Sequence, residues 1–289
     1  MTDTTTTPNA AASQQHYYVP EPSPYPVLVS AAALFLFMGI GLLVNSVGVG
    51  TWFMGAGALL LLYALNRWFA AVIAEDRGGL FHGWEVESLR LGMVWFIISE
   101  SALFATFFGV LFYEHFVSVP WLASLAPHFT PWPGYAGVWP TAGPAGHEFT
   151  AVGPIGVPLI KTLLLLISGA TYAWAQWGLK ENQRGSLITG LVVTILLGVV
   201  FVALTGHEFV DAYAKHMTLG SGVYGATFFG LTGLHGLHVA AGVVMIAAIL
   251  ERSLKGDFSA KHHFAVKAVG WFWYLIVVVS VPFFIVYWI

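Results

Sequence analysis

Seven stretches of this chain are apolar over the length of a bilayer crossing: residues 27–47, 50–73, 91–115, 157–179, 186–206, 222–250 and 266–288. A hydrocarbon core about 30 Å thick is spanned by about 20 helical residues. Lipid offers no partner to a peptide group, so each stretch must satisfy its own backbone. An α-helix does this and a lone strand does not. The fold class that follows is all-α integral membrane. A polar N-terminal tail occupies 1–26 and one seven-helix membrane domain occupies 27–289. Composition agrees, because 57% of the 289 residues are hydrophobic and only 9% charged, against about 25% charged in soluble domains.

Several function classes are excluded early. The chain has no cysteine, so it offers no disulfide, thiolate metal site or c-type haem attachment. A net charge of −3 without a basic run argues against nucleic acid as a partner. The opening "MTDTTTTPNAAASQQ" lacks a basic segment followed by an apolar one and reads as a disordered tail rather than a signal peptide. No P-loop, GxSxG or HExxH occurs, so no hydrolase is indicated. The halves share no pattern of interrupted spans of the kind secondary transporters show. The segment 116–156, rich in Pro, Gly and aromatics, reads as a long surface loop.

With seven spans, one side of the membrane carries the tail and the loops after spans two, four and six. That side holds Arg67, Arg77, Arg90, Lys180, Arg184, Arg252, Lys255, Lys261 and Lys267, and the other holds only Lys161 and Lys215. The segregation places the N-terminus in the cytoplasm and the C-terminus outside. Aromatics such as Tyr17, Tyr18, Trp68, Trp84, Tyr287 and Trp288 mark the interfaces.

Polar residues inside the spans are the candidates for function. Glu100 is the one charge among residues 91–113 of the third span, and an ionised carboxylate at mid-bilayer costs roughly 2.5–3.5 kcal/mol. It must face protein, find a partner or keep its proton. Packing, proton handling and an ion site are the open readings. In the sixth span, His235 and His238 share a helix face, with Thr232 beside them. They suit structural hydrogen bonding, or metal ligation if other spans supply further ligands. Gly230, Gly233 and Gly236 form a small-residue strip that would let another helix approach. At about 1.5 Å per residue, Glu100 lies roughly 14 Å above the inner end of its span, His238 roughly 18 Å and His235 roughly 22 Å. His238 is therefore the better depth match, and a proton shared between Glu100 and His238 is expected if their spans are neighbours. Glu208 and Asp211, just past the fifth span, read as a solvated surface, Lys161 as snorkelling to headgroups, and His262 and His263 as solvent-facing.

At these residues the chain resembles subunit III of the haem-copper cytochrome c oxidases, in the bacterial aa3-type branch. The resemblance runs from His16 to the C-terminus. It rests on "HYYVPEPSPYPV", "LRLGMVWFIISE", "WP" at Trp139 and Pro140, "LLLLISGATYAWA", "HEFVDAY" and, most specific, "GVYGATFFGLTGLHGLHVAAG". It implies a two-helix and a five-helix bundle around a V-shaped cleft that holds phospholipid. It also implies a subunit without a redox centre, bound to subunit I beside subunit II, in a complex that takes electrons from cytochrome c, reduces oxygen and pumps protons. Haems and copper would lie in the partner subunits. The implied role is to protect subunit I during turnover and to support proton uptake. The family's intramembrane Glu matches Glu100, its paired histidines match His235 and His238, and its outer-surface Glu matches Glu208. The chain departs from the family at Tyr274, Val277 and Ser280 (usually His, Asp and Trp), at Lys161 (usually Asn), at Lys267 (near a usual Glu) and at Ala74-Glu75 (usually Arg-Glu). Two other readings are an ion- or proton-coupled transporter using Glu100 and His238, and a membrane cytochrome with haem on His235 or His238.

Overall fold

The computed structural model describes residues 22–81, 83–129, 134–144, 146 and 149–286. Most of the expected N-terminal tail, with Tyr17 and Tyr18, and also Tyr287 and Trp288, lies outside them. Among the described residues there are helices and no strands: α1 (Tyr25–Val44), α2 (Gly50–Arg77), α3 (Gly83–Tyr113), α4 (Val119–Phe129), α5 (Val157–Lys180), α6 (Arg184–Ala214), α7 (Gly222–Lys255) and α8 (Phe264–Val286). Seven of these segments, with α3 and α4 taken as one, are long and apolar enough to cross a membrane. The protein is a multi-pass membrane protein.

The chain divides into two compact units, Met1–Gly92 and Met93–Ile289. In the first, α1 and α2 form a tight hairpin. Ser46 takes a left-handed φ of 61° at the turn. Asn45 donates from Nδ2 to the Gly41 carbonyl at 2.8 Å, satisfying a group the helix end would leave open. The two helices touch backbone to backbone, since a Cβ at Gly57 would fall 2.6 Å from the Leu36 amide nitrogen.

In the second unit, α5, α6, α7 and α8 enclose a core of Leu165, Tyr172, Leu191, Val239, Trp273 and Ile276. The Trp273 indole fills the space that two glycines leave. A Cβ at Gly242 would lie 2.7 Å from its ring and one at Gly198 3.0 Å. The strip at Gly230 and Gly233 is not the place of close approach. A Cβ there would meet the rings of Phe107 and Phe209 at an ordinary 3.8 Å, and only at Gly236 does the gap narrow, to 3.3 Å from Thr205. A spacing of three drifts about 60° around the helix per step, so these glycines do not stay on one contact line.

Two element boundaries differ from the sequence reading. The expected loop at 116–156 is helical as far as Phe129, through a widened π turn at Glu114–Ser118 and then α4. Pro120 follows that turn. Its ring and missing N–H preclude an ordinary bond back to residue 116, and the wider turn absorbs the misfit. The helix α6 continues past the apolar run to Ala214 and so carries Glu208 and Asp211.

Candidate functional site

The structure brings Glu100, on α3, and His238, on α7, together: His238 Nε2 lies 2.8 Å from Glu100 Oε2. Both side chains are mostly enclosed, and the aromatic rings of Phe104 and Phe272 lie 5.0 and 6.0 Å from the imidazole. The other ring nitrogen, Nδ1, is 2.7 Å from the Leu234 carbonyl. A carbonyl can only accept, so Nδ1 carries a hydrogen. That fixes the chemistry at Nε2. Either the ring is neutral and a protonated Glu100 donates to Nε2, or the ring is an imidazolium and donates to a carboxylate. In both forms one proton sits between the residues and the pair is neutral overall, which is what an apolar helix bundle tolerates.

His235 does not join this pair. Its Nε2 donates to the Ile276 carbonyl on α8 at 3.2 Å. Its ring stacks on Phe283 at 4.6 Å, and Phe201 meets it edge-on at 5.4 Å. The ring of Phe104 contacts both imidazoles, 6.2 Å from His235 and 5.0 Å from His238.

A second polar site corrects two readings. Lys161 does not snorkel and Glu208 is not solvated. Their side chains are 6% and 1% exposed, and Lys161 Nζ donates to Glu208 Oε2 inside the bundle. The cause is helical register. On α5, Lys161 belongs to the buried series with Leu165, Ser168 and Tyr172, and on α6, Glu208 belongs to the series with Gly198, Phe201, Thr205 and Ala212. Spacings of three and four put each series on one face. That periodicity was the signal available in the sequence, and it outweighs position near a span end. Asp211, one turn on, points outward and pairs with Lys215 at 2.7 Å. A third correction lies elsewhere, at His263. It is partly buried, and both ring nitrogens are shielded from solvent. Burial first, and Lys267 second, lower its affinity for a proton below the usual histidine range. His262 is exposed.

The unusual residues of the last span are accommodated locally. Tyr274 donates to Gln176 Oε1 at 2.9 Å, Val277 packs where Gly169 leaves room, and Ser280 donates to the Val277 carbonyl at 2.6 Å. Among the described residues no group of three or more His, Asp or Glu side chains is arranged to hold a metal ion. Both nitrogens of His238 and Nε2 of His235 are engaged in hydrogen bonds within the chain.

Comparison with known proteins gives one consistent result. The family model described as cytochrome c oxidase subunit III matches residues 15–289. The chain is also similar to proteins named cytochrome c oxidase subunit 3 from Gadus morhua, Cyprinus carpio and Oncorhynchus mykiss. Each is 36% identical over 261 residues, covering 86% of this chain and 91% of the relative.

Proposed function

The chain belongs to the cytochrome c oxidase subunit III family, and we propose that it serves as the non-redox third subunit of a proton-pumping, oxygen-reducing oxidase. In this reading it binds subunit I directly, shares the complex with subunit II and holds phospholipid, while cytochrome c donates electrons to the complex. Haems and copper belong to the partner subunits. The chain's contribution is to support proton uptake and to preserve subunit I through repeated turnover. The complex resides in a bacterial inner membrane with the N-terminus cytoplasmic and the C-terminus periplasmic, an orientation supported by the nine-to-two segregation of basic residues.

The observation that carries the proposal is the family match over residues 15–289, which contains the Glu100–His238 pair. The transporter reading finds no support in the comparisons. The test is an oxidase prepared without this chain. Its initial oxygen consumption should be near normal, its activity should decay sooner under turnover, and its proton uptake should be slower. An unchanged working lifetime and uptake rate would contradict the proposal.

A further inference from the structure

The buried Lys161 ammonium carries three N–H groups, and Glu208 Oε2 takes one of them. Lys161 also lines a cavity of about 20 Å³ with Thr162, Thr232, His235 and Ser280. Space of that size is enough for one water. The other polar groups around it have already given up their hydrogens. Thr162, Thr232 and Ser280 donate to the carbonyls of Pro158, Phe228 and Val277 at 3.1, 2.6 and 2.6 Å. His235 donates from Nε2 to Ile276, which leaves Nδ1 of a neutral ring as an acceptor. The lining therefore offers one cationic donor and several lone pairs. A metal cation would be repelled by the ammonium, and an anion would face the lone pairs. A molecule that both accepts and donates fits, and water is the smallest that does.

We propose that this cavity is a binding site for one water, which accepts from Lys161 Nζ and donates to His235 Nδ1 and to a hydroxyl oxygen of Thr232 or Ser280. The water completes a polar chain from Glu208 on α6 through Lys161 on α5 and His235 on α7 to the Ile276 carbonyl on α8. Four helices are then tied by one hydrogen-bonded thread. The thread ends at the Ile276 carbonyl, and the Phe104 ring lies between His235 and His238, so it does not extend to the Glu100 pair. This inference stands on the packing of α5 to α8 and is independent of the oxidase reading.

The test is a density map of the purified native complex at a resolution that shows other buried waters in the bundle. One peak within hydrogen-bonding distance of both Lys161 Nζ and His235 Nδ1 is expected. No peak there, or Lys161 in direct contact with His235, would overturn the proposal. In Ser280→Val the added methyl should occupy the void and the peak should vanish from the assembled complex. A peak that persists unchanged in that variant would equally overturn the assignment.

Discussion

Glu100 has a hydrogen-bonding partner inside the bundle, His238 Nε2, 2.8 Å away. Glu100→Gln keeps a hydrogen-bond donor for His238 but no exchangeable carboxyl proton. It should assemble and retain most oxygen consumption, while any protonated-carboxyl band of Glu100 disappears from infrared difference spectra of the complex. Glu100→Ala leaves the imidazole without its partner and should cost about 1–3 kcal/mol in thermal stability of the complex. At the second site, Lys161→Met removes the ammonium from a buried carboxylate and should cost about 3–5 kcal/mol. Adding Glu208→Leu should recover most of that loss, as a double-mutant cycle in thermal unfolding will read. His263 supplies a pH dependence. The unfolded chain takes up a proton near the ordinary value of 6.5, whereas the buried ring in the folded chain resists it. Stability should therefore fall as pH drops below about 6.5, and His263→Gln should flatten that slope in melting curves. Counting residues along a helix was enough to match Glu100 with His238 in depth. It could not show that α3 and α7 are neighbours, because that depends on tertiary packing. Lys161 and Glu208 were misread because their positions near the ends of apolar runs were weighed above their place on a buried face.

Helix number and approximate limits were readable because lipid enforces them, since a bilayer-length apolar run has one workable backbone solution. What the run does not record is how far a helix continues beyond the hydrocarbon. The helix α6 reaches Ala214, and α4 forms from a stretch whose prolines and aromatics suggested a loop. Nor does the small-residue pattern say which glycines meet a neighbour. On α7 the close contact is Gly242 against Trp273, whereas Gly233 has room for a methyl group. Gly242→Ala should overpack the core and cost about 1–3 kcal/mol. Gly233→Ala should stay within about 0.5 kcal/mol. Thermal melts of the two assembled variants will separate them, and the reverse order would mean that another chain packs tightly on the Gly233 face.

On the scale of the whole molecule, few charges, seven crossings and two buried polar sites describe a chain built to sit among other membrane helices. The Glu100–His238 pair and the Lys161–Glu208 ion pair both lie within this chain. The most direct measurement is affinity purification of the tagged chain from native membranes, with subunit content, visible spectrum and metal content determined before and after the chain is separated from its partners. The account predicts a complex with haem- and copper-bearing subunits, and a separated chain with neither a haem band nor stoichiometric iron or copper. A chain that purifies alone from those membranes, or that keeps haem or metal after separation, would contradict it.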